Sequence, residues 1–123
     1  MFTIGKVFEF ASAHQLHGLE EGHKCGRLHG HNYKVEVILS SKEVNDDGFV
    51  FDYGKMDFIK NYIDSNLDHK NLNDIFDFQT SAENLAQYLY HYLKLAFSKI
   101  DKNILLQEVV VSETPKTFAS YKL

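Results

Sequence analysis

Cysteine and proline each occur once in the 123 residues, as Cys25 and Pro115, and tryptophan is absent. A lone cysteine excludes an internal disulfide framework and fits a reducing compartment, so the cytoplasm is the expected location. No apolar run reaches the roughly 18 residues that a membrane-spanning helix needs. The opening Met1-Phe2-Thr3-Ile4-Gly5-Lys6 has neither the basic region nor the long apolar region of a secretory leader. Basic residues are in the minority: 13 Lys and Arg against 17 Asp and Glu give a formal charge of −4. That balance argues against general nucleic-acid binding, which favours a clustered basic face. It leaves an anionic small substrate open, because a few local cations suffice for one. Repeats, low-complexity tracts and linkers are also missing, so residues 1–123 are expected to form a single domain.

What is present divides into alternating and helical segments. Phe2, Ile4, Phe8 and Phe10 fall on even positions of residues 2–13, as in a strand with one buried face. Residues 14–30 are dense in histidine and glycine without a period and read as a long functional loop. Residues 31–41 alternate as a second strand, and Asn45-Asp46-Asp47-Gly48 signals a turn leading to a short third strand at Phe49-Val50-Phe51. Met56, Ile59, Tyr62, Ile63 and Leu67 carry helical spacing over about 55–67. Thr80 followed by Glu83 has the form of a capping box opening a second helix with Leu85, Leu89, Tyr92, Leu93 and Ala96 on its face. Leu105 to Thr114 alternates again, and Phe118 to Leu123 closes the chain as an edge strand. The order implies an α+β fold with helices on one face of an antiparallel sheet. Open sheet edges, with seven Tyr and ten Phe, suggest aromatic surface hidden in an oligomer.

The chemistry concentrates in Cys25-Gly26-Arg27-Leu28-His29-Gly30-His31. Residues i and i+2 of a strand project from the same face, so His29 and His31 point the same way. His14, ending the preceding strand, is placed to add a third nitrogen. Three neutral imidazoles with one open position describe a catalytic zinc site. The plainer alternative is a turn whose imidazoles cap backbone groups; Gly30, the following strand and the upstream histidine favour the metal. His17, His23 and His91 are expected to be solvated or to support the site from outside.

Cys25 has two readings. It completes a closed Cys-His₃ site, making the zinc structural, or it stays off the metal as a base or nucleophile that the cation helps to ionise. Asp68-His69, where the first helix ends, favours the second, because a carboxylate beside an imidazole tunes a proton-transfer partner. The alternative for that pair is a helix C-terminus with a favourable dipole interaction. Glu113 points inward beside Val109 and Val111, and a carboxylate there requires a partner, either an internal cation or a ligand with paired N–H donors.

Phe10-Ala11-Ser12-Ala13-His14, His23-Lys24-Cys25, His29-Gly30-His31, Phe51-Asp52-Tyr53, Leu67-Asp68-His69, Glu83-Asn84-Leu85-Ala86 and Val111-Ser112-Glu113-Thr114 occur in the order of the 6-pyruvoyl-tetrahydropterin synthase superfamily. The chain resembles that superfamily from about residue 4 to Tyr121. It looks most like the bacterial 6-carboxy-tetrahydropterin synthase branch of queuosine biosynthesis, which has three residues between the cysteine and His-Gly-His, as here. The resemblance implies a tunnelling fold (T-fold): a four-stranded antiparallel sheet with two helices on one face. Three such sheets would close a barrel and two barrels stack into a homohexamer with active sites at subunit interfaces. It implies Zn²⁺ held by His14, His29 and His31, proton transfer by Cys25, Asp68 and His69, and a pterin anchored by Glu113. The substrate would be a pterin triphosphate, with Lys24 and Arg27 the nearest cations in sequence. The family segment Pro-Thr-Ser/Ala-Glu-Asn is here Thr80-Ser81-Ala82-Glu83-Asn84, so a serine, Ser81, replaces the pterin-contacting threonine. Two other readings stay in view: 6-pyruvoyl-forming activity, and a non-catalytic zinc-stabilised module with Cys25 as fourth ligand.

Overall fold

A computed structural model describes residues 1–123. Strands β1 (Phe2–His14) and β2 (His29–Ser41) form a long antiparallel hairpin, in register from Phe2 opposite Ser41 to His14 opposite His29. Even positions of β1 and odd positions of β2 therefore share one face. Phe8 and Phe10 on β1 and Tyr33, Val35, Val37 and Leu39 on β2 are buried there. Helix α1 (Asp57–Asn66) leads to the two-residue strand β3 (Lys70–Asn71) and the single turn α2 (Leu72–Ile75). The long helix α3 (Ala82–Ile100) follows, then β4 (Leu105–Ser112) and β5 (Ala119–Tyr121). The sheet order is β3-β1-β2-β4-β5.

The four antiparallel strands β1, β2, β4 and β5 are the sheet expected from the pattern. A parallel pairing of Lys70–Asn71 with Ser12–Ala13 adds a small fifth strand. Helices α1 and α3 place Ile59, Ile63, Leu85, Leu89, Leu93 and Phe97 against that face. Each such side chain contributes about 1.5–3 kcal/mol when withdrawn from water. The hydroxyls of Tyr62 and Tyr88, 2.8 Å apart, join the two helices where the core ends. No helix is long and apolar enough to cross a membrane.

Four local expectations change. Phe49-Val50-Phe51 is irregular rather than a strand: Val50 and Phe51 are both buried, which neighbours on a strand cannot be on one face. Strand β2 begins at His29, so the loop is shorter at its C-terminal end than the aperiodic composition implied. The cap of α3 is Ser81, whose Oγ accepts from the Asn84 N–H at 3.3 Å, and not Thr80. Thr80 is fully buried and serves another purpose below. Strand β4 stops at Ser112, leaving Glu113 just beyond its end.

Candidate metal centre and its surroundings

The hairpin register brings three imidazoles together. His14 lies opposite His29, and His31 follows on the same face of β2. One ligand nitrogen from each lies within 4.8 Å of the others, and the ring centroids are 4.6–5.1 Å apart. His14 is completely buried, while His29 and His31 are half-buried.

Backbone carbonyls fix which nitrogens face the centre. His14 Nδ1–H donates to the Thr80 carbonyl at 2.8 Å, with Thr80 Oγ1 at 3.2 Å. His29 Nδ1–H donates to the Arg27 carbonyl at 2.7 Å. Each ring then presents a bare lone pair on Nε2, and these two Nε2 atoms stand 3.1 Å apart. Two acceptors cannot bond one another. The Glu113 carboxylate adds a third acceptor, its Oε2 lying 3.3 Å from His14 Nε2 and 3.5 Å from His31 Nε2. Converging acceptors of this kind fit a cation. Tetrahedral zinc with Zn–N near 2.0–2.1 Å separates its nitrogens by roughly 3.3 Å. Burial lowers the pKa of both His14 and His31 against the pull of Glu113, favouring the neutral, metal-ready imidazole.

Tyr33 floors the cluster. It stacks on Phe10 at 4.7 Å between centroids and meets His31 edge-on at 5.4 Å. Its buried hydroxyl has no partner, and burial followed by the charge of Glu113 pushes its pKa upward. Tyr33 and Thr80 were not anticipated from the sequence. Tyr33 was accessible in principle, standing two residues beyond His31 on one strand face. Thr80 acts through a carbonyl 66 residues from His14 and left no signal.

Cys25 sits half-buried on a 3₁₀ turn, Lys24–Gly26. Its N–H donates to His23 Nδ1 at 3.1 Å, and its carbonyl accepts from the Leu16 N–H at 3.0 Å. The close set of ligand atoms consists of the three imidazoles and does not include the Cys25 sulfur. Lys24 and Arg27 flank the cysteine, both exposed. The Ser81 hydroxyl is engaged as the α3 cap. His17 and His23 lie outside the cluster, and His91 on α3 packs beside Tyr121 of β5, 5.3 Å between ring centroids.

Asp68 and His69 form a pair of their own. His69 Nδ1–H donates to Asp68 Oδ2 at 2.8 Å, and Asp68 Oδ1 accepts from the Ala11 N–H at 2.9 Å. The Ala11 bond, then the His69 bond, hold the Asp68 carboxyl below its ordinary pKa. The His69 N–H donates to the Ala11 carbonyl at 2.6 Å, while its side chain is 82% exposed. It borders a depression lined also by Ala11, Ser12, Ala13, Gly30, His31 and Asn32. Within one chain the structure thus unites His14, His29, His31 and Glu113, but gives His69 no polar contact with them or with Cys25.

The family model described as 6-pyruvoyl tetrahydropterin synthase matches residues 3–123. The chain belongs to the 6-pyruvoyl tetrahydropterin synthase family. Among its relatives, the 6-pyruvoyl tetrahydrobiopterin synthase of Drosophila melanogaster is 33% identical, covering 92% of this chain and 74% of its own length. The 6-carboxy-5,6,7,8-tetrahydropterin synthase of Bacillus subtilis is 27% identical, over 98% and 85%. The solved structure of the Caenorhabditis elegans 6-pyruvoyl tetrahydropterin synthase superposes with a TM-score of 0.84 at 30% identity, covering 99% of this chain and 95% of that one. The fold is accordingly the T-fold of this family, and the chain is a member of a family of pterin synthases.

Proposed function

We propose that this family member is a zinc-dependent carbon–carbon lyase. It converts 7,8-dihydroneopterin triphosphate and one water into 6-carboxy-5,6,7,8-tetrahydropterin, acetaldehyde and triphosphate, serving queuosine biosynthesis in the cytoplasm. The observation that carries the reading is the convergence of bare His14 and His29 Nε2 atoms, 3.1 Å apart, with Glu113 beside them. His14, His29 and His31 would hold zinc, which supplies Lewis acidity to the oxygens of the substrate side chain when bound.

The remaining roles fall to the chain's own groups. Glu113, partly exposed beside the cluster, accepts the adjacent N–H donors of the pterin edge, which a carboxylate can take two at a time. Ser81 stands where the family threonine contacts the pterin, although its hydroxyl already caps α3. Lys24 and Arg27 offer positive charge to the triphosphate. Cys25 takes the proton from the side-chain carbon attached to the ring. The electron pair left behind moves into the ring C6–N5 double bond as the side-chain hydroxyl loses its proton to become a carbonyl. The two protons end on N5 and, delivered by His69 oriented by Asp68, on C6. The side chain is oxidised as the ring is reduced, so no outside reductant enters. Loss of triphosphate and hydrolytic cleavage of the side chain complete the balance.

The exposure of His69 supports assembly as a homohexamer in which Asp68 and His69 serve a neighbouring subunit's site. Similarity to the animal enzymes favours a second reading, 6-pyruvoyl formation without side-chain cleavage. The cysteine spacing, with three residues between it and His-Gly-His, supports the carboxy-forming reaction instead. Incubation of zinc-loaded protein with 7,8-dihydroneopterin triphosphate is expected to yield acetaldehyde by mass spectrometry. A pyruvoyl product would replace this reading with the second. In Cys25→Ala, zinc is expected to persist while turnover disappears. Loss of metal and fold together would make Cys25 a structural ligand.

A further inference from the structure

The segment after β1 is held from both sides in a pattern that the chemistry above does not use. On one side, Asn73 of α2 grips the backbone of Gln15. Its Oδ1 accepts from the Gln15 N–H at 2.7 Å and its Nδ2 donates to the Gln15 carbonyl at 2.9 Å. Two residues on, Gln79 grips His17 in the same way, accepting from its N–H at 3.0 Å and donating to its carbonyl at 2.8 Å. A carboxamide carries one acceptor and paired donors in one plane, so each pair of bonds matches a single extended residue. Between them, Leu16 turns its N–H the other way, to the Cys25 carbonyl. The Gln15 side chain also reaches that turn, donating from Nε2 to the Gly26 carbonyl at 2.7 Å.

Residues 15–17 therefore behave as a strap with the two carboxamides on one edge and the cysteine turn on the other. The backbones of both residues are anchored in turn. The Asn73 N–H donates to Asn71 Oδ1 at 3.0 Å, and the Gln79 carbonyl accepts from Asn84 Nδ2 at 2.9 Å in the first turn of α3. The 3₁₀ turn carrying Cys25 has no fully buried residue, only the half-buried Cys25 and Gly26. The Leu16 and Gln15 contacts tie the turn to the strap.

We infer that Asn73 and Gln79 are positioning residues that fix Cys25 through the strap 15–17. The inference rests on the reading of Cys25 as the proton-transfer thiol. Asn73 lies four residues beyond His69, so one short segment sets both the imidazole and, through the strap, the thiol. Misplacement of a reacting group by about 1 Å can cost on the order of 100-fold in rate.

The test compares Asn73→Ala, Gln79→Ala and their double variant with the control Asn66→Ala, which removes only an exposed bond to the Tyr62 carbonyl. Zinc content, kcat and KM for 7,8-dihydroneopterin triphosphate, and amide hydrogen exchange at Leu16 and Cys25 are measured on each. Each single variant is expected to retain zinc and KM within about threefold, lose about tenfold in kcat, and exchange the Leu16 amide at least tenfold faster. The double variant is expected to lose about 100-fold. Asn73→Asp and Gln79→Glu keep the acceptor half of each clasp but set a carboxylate oxygen against the Gln15 or His17 carbonyl. They should therefore lose kcat as the alanine variants do, and they carry the test even if the alanine variants fold poorly. Unchanged kcat with faster Leu16 exchange overturns the inference, as does loss of zinc in parallel with kcat. Absence of wild-type turnover would sink the proposed reaction, and the exchange measurement would still decide whether the carboxamides hold the Cys25 turn.

Discussion

Replacing Glu113 with Gln separates two jobs that the same carboxylate could do. Its Oε2 stands 3.3 Å from His14 Nε2 and 3.5 Å from His31 Nε2, distances that also suit a fourth metal ligand. In the proposed reaction it anchors the pterin instead. Glutamine keeps the size and one acceptor oxygen but removes the charge and presents N–H groups to a ligand edge that also donates. A hydrogen bond to a charged acceptor contributes about 1.5–3 kcal/mol, and each 1.4 kcal/mol is a factor of ten. At 27% side-chain exposure, water replaces part of what is lost, so one such bond is the appropriate allowance. Glu113→Gln should therefore raise KM, and the dissociation constant of unreactive neopterin, by about 10- to 150-fold. Zinc stoichiometry by elemental analysis should stay at wild-type level. Calorimetric titration with neopterin and metal analysis of the same preparation give both answers. A variant that binds neopterin normally but has lost its metal would refute the anchoring role and make Glu113 a ligand.

Three further outcomes follow from the geometry. Asp68 has a folded pKa below the ordinary carboxylate value near 3.9, so its stabilising contribution is complete above that value and is lost as pH falls through the folded one. Asp68→Asn should be less stable than wild type at pH 7, with the gap in denaturant midpoint closing below about pH 4; a gap independent of pH would contradict the assignment. Ser81→Ala removes the α3 cap and should cost about 1 kcal/mol, seen as a fall in Tm of a few degrees by circular dichroism. Chelation of metal-loaded protein should lower Tm and return on adding zinc, as expected for a ligand bound to the folded state alone; an identical Tm with and without metal would argue against the three-histidine centre.

Much of this arrangement was legible because strand alternation is a local rule. His29 and His31 share a face by spacing alone, and the even-numbered aromatics of β1 put His14 on the matching side once the hairpin closed. The motifs supplied the rest of the candidate set. What stayed hidden was long-range or carried by backbone atoms. Nothing near Thr80 says that its carbonyl orients an imidazole 66 residues away. Phe49-Val50-Phe51 had the composition of a strand, yet burying two consecutive side chains took precedence over pairing. The capping box at Thr80 and Glu83 was displaced by one residue, because the buried end of β1 claims Thr80 and leaves Ser81 to start the helix. Asn73 and Gln79 read as ordinary loop residues until both are seen holding alternate positions of one strap.

Beyond α1, the backbone of His69 adopts φ +57°, a conformation that suits glycine or asparagine better than an imidazole-bearing residue. Glycine there would relax the main chain and erase the exposed ring in one step. The same change would remove the bond to Asp68 and loosen the unfolded chain, so its effects on stability oppose one another. His69→Gly should therefore keep a stability close to wild type while losing the turnover proposed to pass through this ring.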